Sequence, residues 1–195
     1  MKQKISTRKL AYLGLLTALV FASNYARIIL PVSIGGTTAF TLANIVCALA
    51  GLILGPIGGL ASGLVSALYD LTNPVYAAES WITFLTKGAL GLVAGIAAAK
   101  LIQKDDSDSY KRSYAKYLIS TVLGAITYYV LYFFKTFLIS GLFAEEGASA
   151  ALGFAAIAGK IPASIFNAVV AIAVAPPLAI ALVKALKKSN LALEE

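Results

Sequence analysis

Six charged residues interrupt otherwise apolar stretches of this chain: Arg27, Asp70, Glu79, Lys87, Lys135 and Lys160. Near them stand two aromatics, Tyr76 and Trp81, and two amides, Asn44 and Asn167. Such a set can form ion pairs, donate and accept hydrogen bonds and stack on a flat ring, which is the chemistry of recognition. What the chain lacks points the same way. It has no histidine, which removes Ser/His/Asp and Cys/His catalysis, imidazole metal sites and histidine pH switching together. The single Cys47 can form no internal disulfide and no thiolate cluster, and in its apolar run it reads as a small buried hydrophobe. No Gly-x-x-x-x-Gly-Lys-[Ser/Thr] phosphate loop is present, so the chain is not itself an ATPase. No catalytic residue, metal or cofactor is therefore expected. An enzyme working through a carboxylate or a lysine would be the one catalytic alternative.

The elements that must position these residues follow from composition. Of 195 residues, 59% are hydrophobic and 13% charged, with a mean hydropathy of +0.85. A soluble domain is about 45–50% apolar and about 25% charged, so this chain has too little polar surface for water, and a bilayer is its solvent. A membrane helix needs about 20 mainly apolar residues, and six runs are candidates. The first covers residues 10–30, after a basic start (Lys2, Lys4, Arg8, Lys9) that lacks a signal-peptide cleavage site. Pro31 and Gly35-Gly36-Thr37-Thr38 make a loop; a second span covers 40–54, Gly55-Pro56 turns the chain, and a glycine- and serine-rich third covers 57–71. A loop over 72–80 leads to a fourth span at 81–101, the polar segment 103–113 is a solvated loop, and a fifth span covers 114–143. Residues 150–186 are too long for one crossing, so a short re-entrant or interfacial piece is expected before Lys160 and a span at 161–183. The expected fold class is all-α: one polytopic six-transmembrane-helix bundle over 1–195.

With six spans both termini share a side, and the positive-inside rule assigns it. Four basic residues precede the first span, five lie between the fourth and fifth (Lys100, Lys104, Lys111, Arg112, Lys116) and three at the end (Lys184, Lys187, Lys188), 12 of the 16. The termini are therefore expected to be cytoplasmic. Those 12 face five acids on the same side (Asp105, Asp106, Asp108, Glu194, Glu195), which accounts for the whole net charge of +7. The excess is an orientation signal, not a nucleic-acid footprint.

The other four basic residues, Arg27, Lys87, Lys135 and Lys160, fall in the outward halves of their spans with Asp70, Glu79, Glu145 and Glu146. Lys87 lies about 9 Å along the axis from the start of its span, and Lys135 about 12 Å from the end of its own. At such depth a charge costs a few kcal/mol unless it is paired or faces a wet cavity. Pairing of Asp70 with Lys87, together with snorkelling of Arg27, is one solution. A polar pocket open to the outside accounts for the whole group. On the first span, Gly14, Ala18, Ala22 and Ala26 recur every four residues, a small-residue stripe that suits either packing within the bundle or the approach of a foreign helix.

Particular stretches carry a resemblance. They are Ser6-Thr7-Arg8-Lys9-Leu10-Ala11, Leu15-Leu16-Thr17-Ala18-Leu19-Val20-Phe21-Ala22, Leu54-Gly55-Pro56 with Gly58-Gly59 and Gly63, Asp70-Leu71, Phe84-Leu85-Thr86-Lys87-Gly88, Lys160-Ile161-Pro162-Ala163 and Ala175-Pro176-Pro177-Leu178. Their order, with the length and the six spans, resembles the substrate-binding S components of energy-coupling factor (ECF) transporters, most closely the riboflavin, hydroxymethylpyrimidine and pyridoxine branch. The resemblance implies a six-helix protein of the prokaryotic cell membrane that binds a vitamin or precursor in its extracellular half. It implies docking through Ala18 and Ala22, extended by Gly14, on a transmembrane coupling subunit of the EcfT type with two cytoplasmic ATPases of the EcfA type, and delivery by toppling in the membrane. On this reading Arg27, Asn44, Asp70, Tyr76, Glu79, Trp81, Lys87, Lys135, Lys160 and Asn167 form the substrate site. Pyridoxine or hydroxymethylpyrimidine leads, a ring with hydroxyl, carboxylate or phosphate groups suits the cations, and riboflavin, pantothenate, folate and cobalamin stay open. The alternative class, a small ion-gradient-driven secondary transporter or channel, would show inverted repeats and helices broken near the midplane, and neither is evident.

Overall fold

A computed structural model describes residues 6–31, 37–102, 110–143, 149–189 and 191. Ser6 caps the first helix, its Oγ accepting from the Lys9 N–H at 3.2 Å, and α1 runs from Thr7 to Tyr25. The apolar run does not stay helical to residue 30. Arg27–Pro31 forms strand β1 and Thr37–Thr41 strand β2, paired antiparallel from Arg27 opposite Thr41 to Pro31 opposite Thr37. Ile28, Ile29 and the threonines are β-branched and favour extended backbone, and Pro31 cannot continue a helix. The expected all-α bundle is thus a helical bundle with a two-stranded hairpin set between its first two helices.

The hairpin shortens the expected second span to α2, Ala43–Leu54, whose residues are nearly all buried. At 1.5 Å per residue its 12 residues rise about 18 Å, less than the bilayer's hydrocarbon core of about 30 Å. Gly55, at φ 72°, makes the left-handed turn that a side chain would resist, and Pro56 opens α3 (Pro56–Leu71) from the position where its missing N–H costs nothing. A single 3₁₀ turn, Ala77–Glu79, leads into α4 (Ser80–Ile102). Glycines let these helices meet backbone to backbone: a methyl group on Gly59 would land on the Gly91 main chain, one on Gly63 on that of Gly88, and one on Gly95 on that of Gly55. Val20, Leu49, Leu90 and Ala94 fill the core around this seam.

Helix α5 covers Tyr110–Phe137 and ends in a wider π turn, Leu138–Leu142, so the expected polar loop closes into helix at Tyr110. Helix α6 is one continuous element, Ala150–Lys188, of 39 residues or about 58 Å. No separate re-entrant piece precedes Lys160. Ser149 caps the start, accepting from the Leu152 N–H at 3.3 Å, and Gly153 and Ala156 are buried on the same face as Lys160, so the early turns are held by packing. Pro162, Pro176 and Pro177 lie inside the helix, as membrane-type helices tolerate where neighbours satisfy the freed carbonyls.

Among the described residues three segments are long and apolar enough to cross a membrane: Ala77–Leu101, Arg112–Leu142 and Ala150–Lys188. The start of α1 is joined to the segment after α6, since Tyr12 Oη donates to the Leu191 carbonyl at 2.9 Å. Lys2, Lys4, Lys104, Asp105, Asp106, Asp108, Glu145, Glu146, Glu194 and Glu195, used above in the charge count, lie outside the described residues, as does the side chain of Lys111.

Candidate functional site

At the end of the bundle away from Tyr12 and Leu191, seven segments turn polar side chains toward one cavity of about 320 Å³. Helical spacing does much of the work. On α4 and the turn before it Glu79, Thr83 and Lys87 stand one turn apart; on α5 Tyr128, Tyr132 and Lys135 share a face; on α6 Lys160, Ser164 and Asn167 do the same. Arg27 enters from the start of β1, Asp70 from the end of α3, Tyr76 from the following loop, and Thr38 and Thr41 from β2.

The charges fall into two groups. In the first, Arg27 Nη2 lies 3.3 Å from Asp70 Oδ1, and Asp70 Oδ2 accepts from Thr83 Oγ1 at 2.5 Å. Asn24 Oδ1 accepts from both Arg27 Nη2, at 3.2 Å, and Lys87 Nζ, at 2.5 Å. Asp70 therefore pairs with Arg27, and Lys87 turns to an amide; the expected Asp70–Lys87 pair is not formed. Nor does Arg27 snorkel outward: its guanidinium lies 4.6 Å from the Tyr76 ring centre and 5.3 Å from that of Tyr69. In the second group Lys135 Nζ lies 2.6 Å from Glu79 Oε2, and Lys160 Nζ lies 5.6 Å from the Tyr132 ring centre.

Asn167 has a distinct task. Its Oδ1 accepts from the Thr41 N–H at 2.9 Å and its Nδ2 donates to the Ala39 carbonyl at 2.7 Å, so the amide stands in for a third strand along the edge of β2. Several buried polar atoms have no partner among the described residues: Arg27 Nε, Asn44 Oδ1, Tyr76 Oη and Tyr129 Oη. Three of these belong to residues that line the cavity. A buried donor or acceptor left unpaired costs about 1–3 kcal/mol.

Eight of the ten residues expected to form the site, Arg27, Asp70, Tyr76, Glu79, Lys87, Lys135, Lys160 and Asn167, converge on the cavity. Asn44 is buried but does not line it, and Trp81, 62% exposed, faces out of the bundle. Sequence reasoning missed Asn24, Thr83, Ser164 and the Tyr128-Tyr129 pair with Tyr132. A run of three tyrosines within five residues of an apolar helix was the available signal; a lone asparagine or threonine gives little. On α1, Gly14, Ala18 and Ala22 are all exposed, and nothing lies within 4 Å of where a Gly14 side chain would begin. The stripe is on the outer surface and does not serve packing within the bundle.

Comparison with known proteins bears on the family and the fold. No curated protein matches the chain. A solved structure described as the S component of a bacterial ECF transporter superposes with a TM-score of 0.61 at 22% identity, over 92% of this chain and 97% of that one; at that identity the likeness establishes the fold. The family model for the ECF-type riboflavin transporter S component matches residues 4–186, nearly the whole length. The chain belongs to the family of ECF-type riboflavin transporter S components.

Proposed function

We propose that this chain is the substrate-binding subunit of an ECF importer in the cell membrane, taking a heteroaromatic vitamin into the cavity between α4, α5, α6 and the hairpin. The observation that carries this is the cavity itself: a largely buried set of cations, tyrosines and partnerless polar atoms at one end of an apolar bundle. Its volume of about 320 Å³ falls at the lower end of the range for small-molecule sites, about 300–1,000 Å³. The family description puts riboflavin ahead of pyridoxine and hydroxymethylpyrimidine. Arg27, Asp70, Lys87, Lys135 and Lys160 supply charge and hydrogen bonds, and the tyrosines of α5 supply faces and hydroxyls for a ring.

The polar end faces outward and both termini are cytoplasmic, because Arg8, Lys9, Lys100, Arg112, Lys116, Lys184, Lys187 and Lys188 all belong to the opposite end of the helices. The exposed Gly14, Ala18 and Ala22 stripe is the surface for a transmembrane coupling subunit, whose two associated ATPases drive toppling and release. A thermal-shift screen of the purified chain against B vitamins tests the reading, since a ligand bound to the folded state raises its melting temperature by mass action. Stabilisation by one vitamin is the expected result. Vigorous gradient-driven uptake by the chain alone in liposomes would instead make it a secondary transporter.

A further inference from the structure

We infer that the cavity is built for an anionic substrate, a heteroaromatic whose phosphate monoester or carboxylate is held by Lys160. The inference rests on the vitamin-binding reading and makes it more specific. Four cations and two anions line the cavity, leaving a formal charge of +2 among the described residues. Arg27 is neutralised by Asp70 and Lys135 by Glu79. Lys87 has no carboxylate partner, but Asn24 Oδ1 accepts its hydrogen bond. Lys160 has neither. It is 4% exposed, and among the described residues no carboxylate lies within ion-pairing distance and no oxygen accepts from its ammonium; its one contact of that kind is the Tyr132 ring.

The Lys160 side chain lies along the cavity wall, so an ammonium without a carboxylate beside it is placed to meet whatever fills the cavity, and a charge so far from bulk water is stabilised by an opposite charge close by. A ligand that brings its own anionic oxygens removes the deficit at Lys160, and the cavity's surplus favours more than one negative charge. A phosphate monoester carries about −1.5 to −2 at pH 7 and three acceptor oxygens, which makes it the better match; a carboxylate supplies one charge. Ser164, one turn along α6 from Lys160 and also lining the cavity, adds a hydroxyl donor for the same group. The Tyr132 ring lies 5.6 Å from the Lys160 ammonium, so the ring and the anion have adjacent places.

The test is calorimetric titration of the purified full chain with matched pairs: riboflavin and riboflavin 5′-phosphate, pyridoxine and pyridoxine 5′-phosphate, nicotinamide and nicotinate. For the scaffold that binds, the anionic member should bind roughly tenfold to a hundredfold tighter than the neutral one, as expected of a charge-assisted hydrogen bond in a buried site. Lys160→Met should erase that preference, whatever it does to the affinity for the neutral member, and Lys160→Arg should keep it. Equal or tighter binding of the neutral member by the unaltered chain overturns the inference even if Lys160→Met fails to fold, and so does a preference that survives Lys160→Met. Those outcomes leave the vitamin-binding reading intact, whereas no binding of either form of any vitamin would sink both.

Discussion

Replacing Asp70 by Asn removes the negative charge on which the first charge group depends while keeping size and hydrogen-bonding atoms. The side chains of Asp70 and Arg27 are 3% and 9% exposed, so the loss cannot be made good by bulk water. Breaking a buried ion pair from one side costs about 3–5 kcal/mol, because the remaining charge stays buried and unpaired. Here Arg27 keeps the Asn24 acceptor and the faces of Tyr69 and Tyr76, and it borders a polar cavity, so the lower figure, about 3 kcal/mol, is the expected one. The Thr83 hydroxyl also loses its charged acceptor. For a protein of this size about 2–4 °C accompanies each kcal/mol, giving a fall of roughly 6–12 °C in the melting temperature of the detergent-solubilised chain. The double variant Arg27→Met with Asp70→Asn should recover a good part of it, since the stranded cation is gone, and the coupling in the cycle should be clearly non-additive. A melting temperature for Asp70→Asn within about 2 °C of the unaltered chain, or additive losses in the double variant, would refute the claim that this pair is held dry and mutually dependent.

The glycine seam and the stripe on α1 make opposite predictions for similar changes. Gly63→Ala drives a methyl group into the Gly88 backbone and should cost about 1–3 kcal/mol as α3 and α4 are forced apart, whereas Gly14→Ala enters open space and should be neutral or gain up to about 1 kcal/mol from helix propensity; thermal unfolding of both reads this directly. Ala18→Leu and Ala22→Leu, on the exposed side of α1, should leave melting temperature and vitamin affinity unchanged but abolish vitamin uptake and recovery of the coupling subunit in a pull-down. Lost vitamin binding with intact docking would contradict the assignment of the stripe.

Much of the site was legible because charge in an apolar run is costly, so each buried cation announces itself. Arg27, Lys87, Lys135 and Lys160 could be placed near one end of the bundle from helix counting alone, and they meet there. Which anion joins which cation was not legible: Asp70 is as close in sequence to Lys87 as an ion pair needs, yet Asn24, a neutral residue with no signal of its own, takes Lys87 and frees Asp70 for Arg27. Hydropathy also cannot distinguish an extended apolar stretch from a helical one, and so Ile28-Ile29-Leu30 has the composition of the end of a span although it pairs with β2. The length of residues 150–186 suggested a break before Lys160 on the assumption that a helix must fit the bilayer. The structure keeps the helix whole, with the early turns packed against α5 through Gly141 and Gly153 and through the Phe137 and Phe154 rings 5.1 Å apart. Trp81 lies off the cavity and exposed: an aromatic at a span boundary can as well face lipid headgroups as a ligand.

The amide of Asn167 has a mechanical consequence. Because it completes the edge of β2 with one bond in each direction, the hairpin cannot swing away from α6 without losing both bonds, and an exposed strand edge would then need another partner. Asn167 sits two turns along the same face as Lys160. The hairpin and α6 are thus fastened at two neighbouring points, the Asn167 amide and the Phe40–Phe166 ring contact at 4.7 Å, so that the strand walling the cavity is tied to the helix that carries Lys160 rather than to the glycine-locked block of α3 and α4.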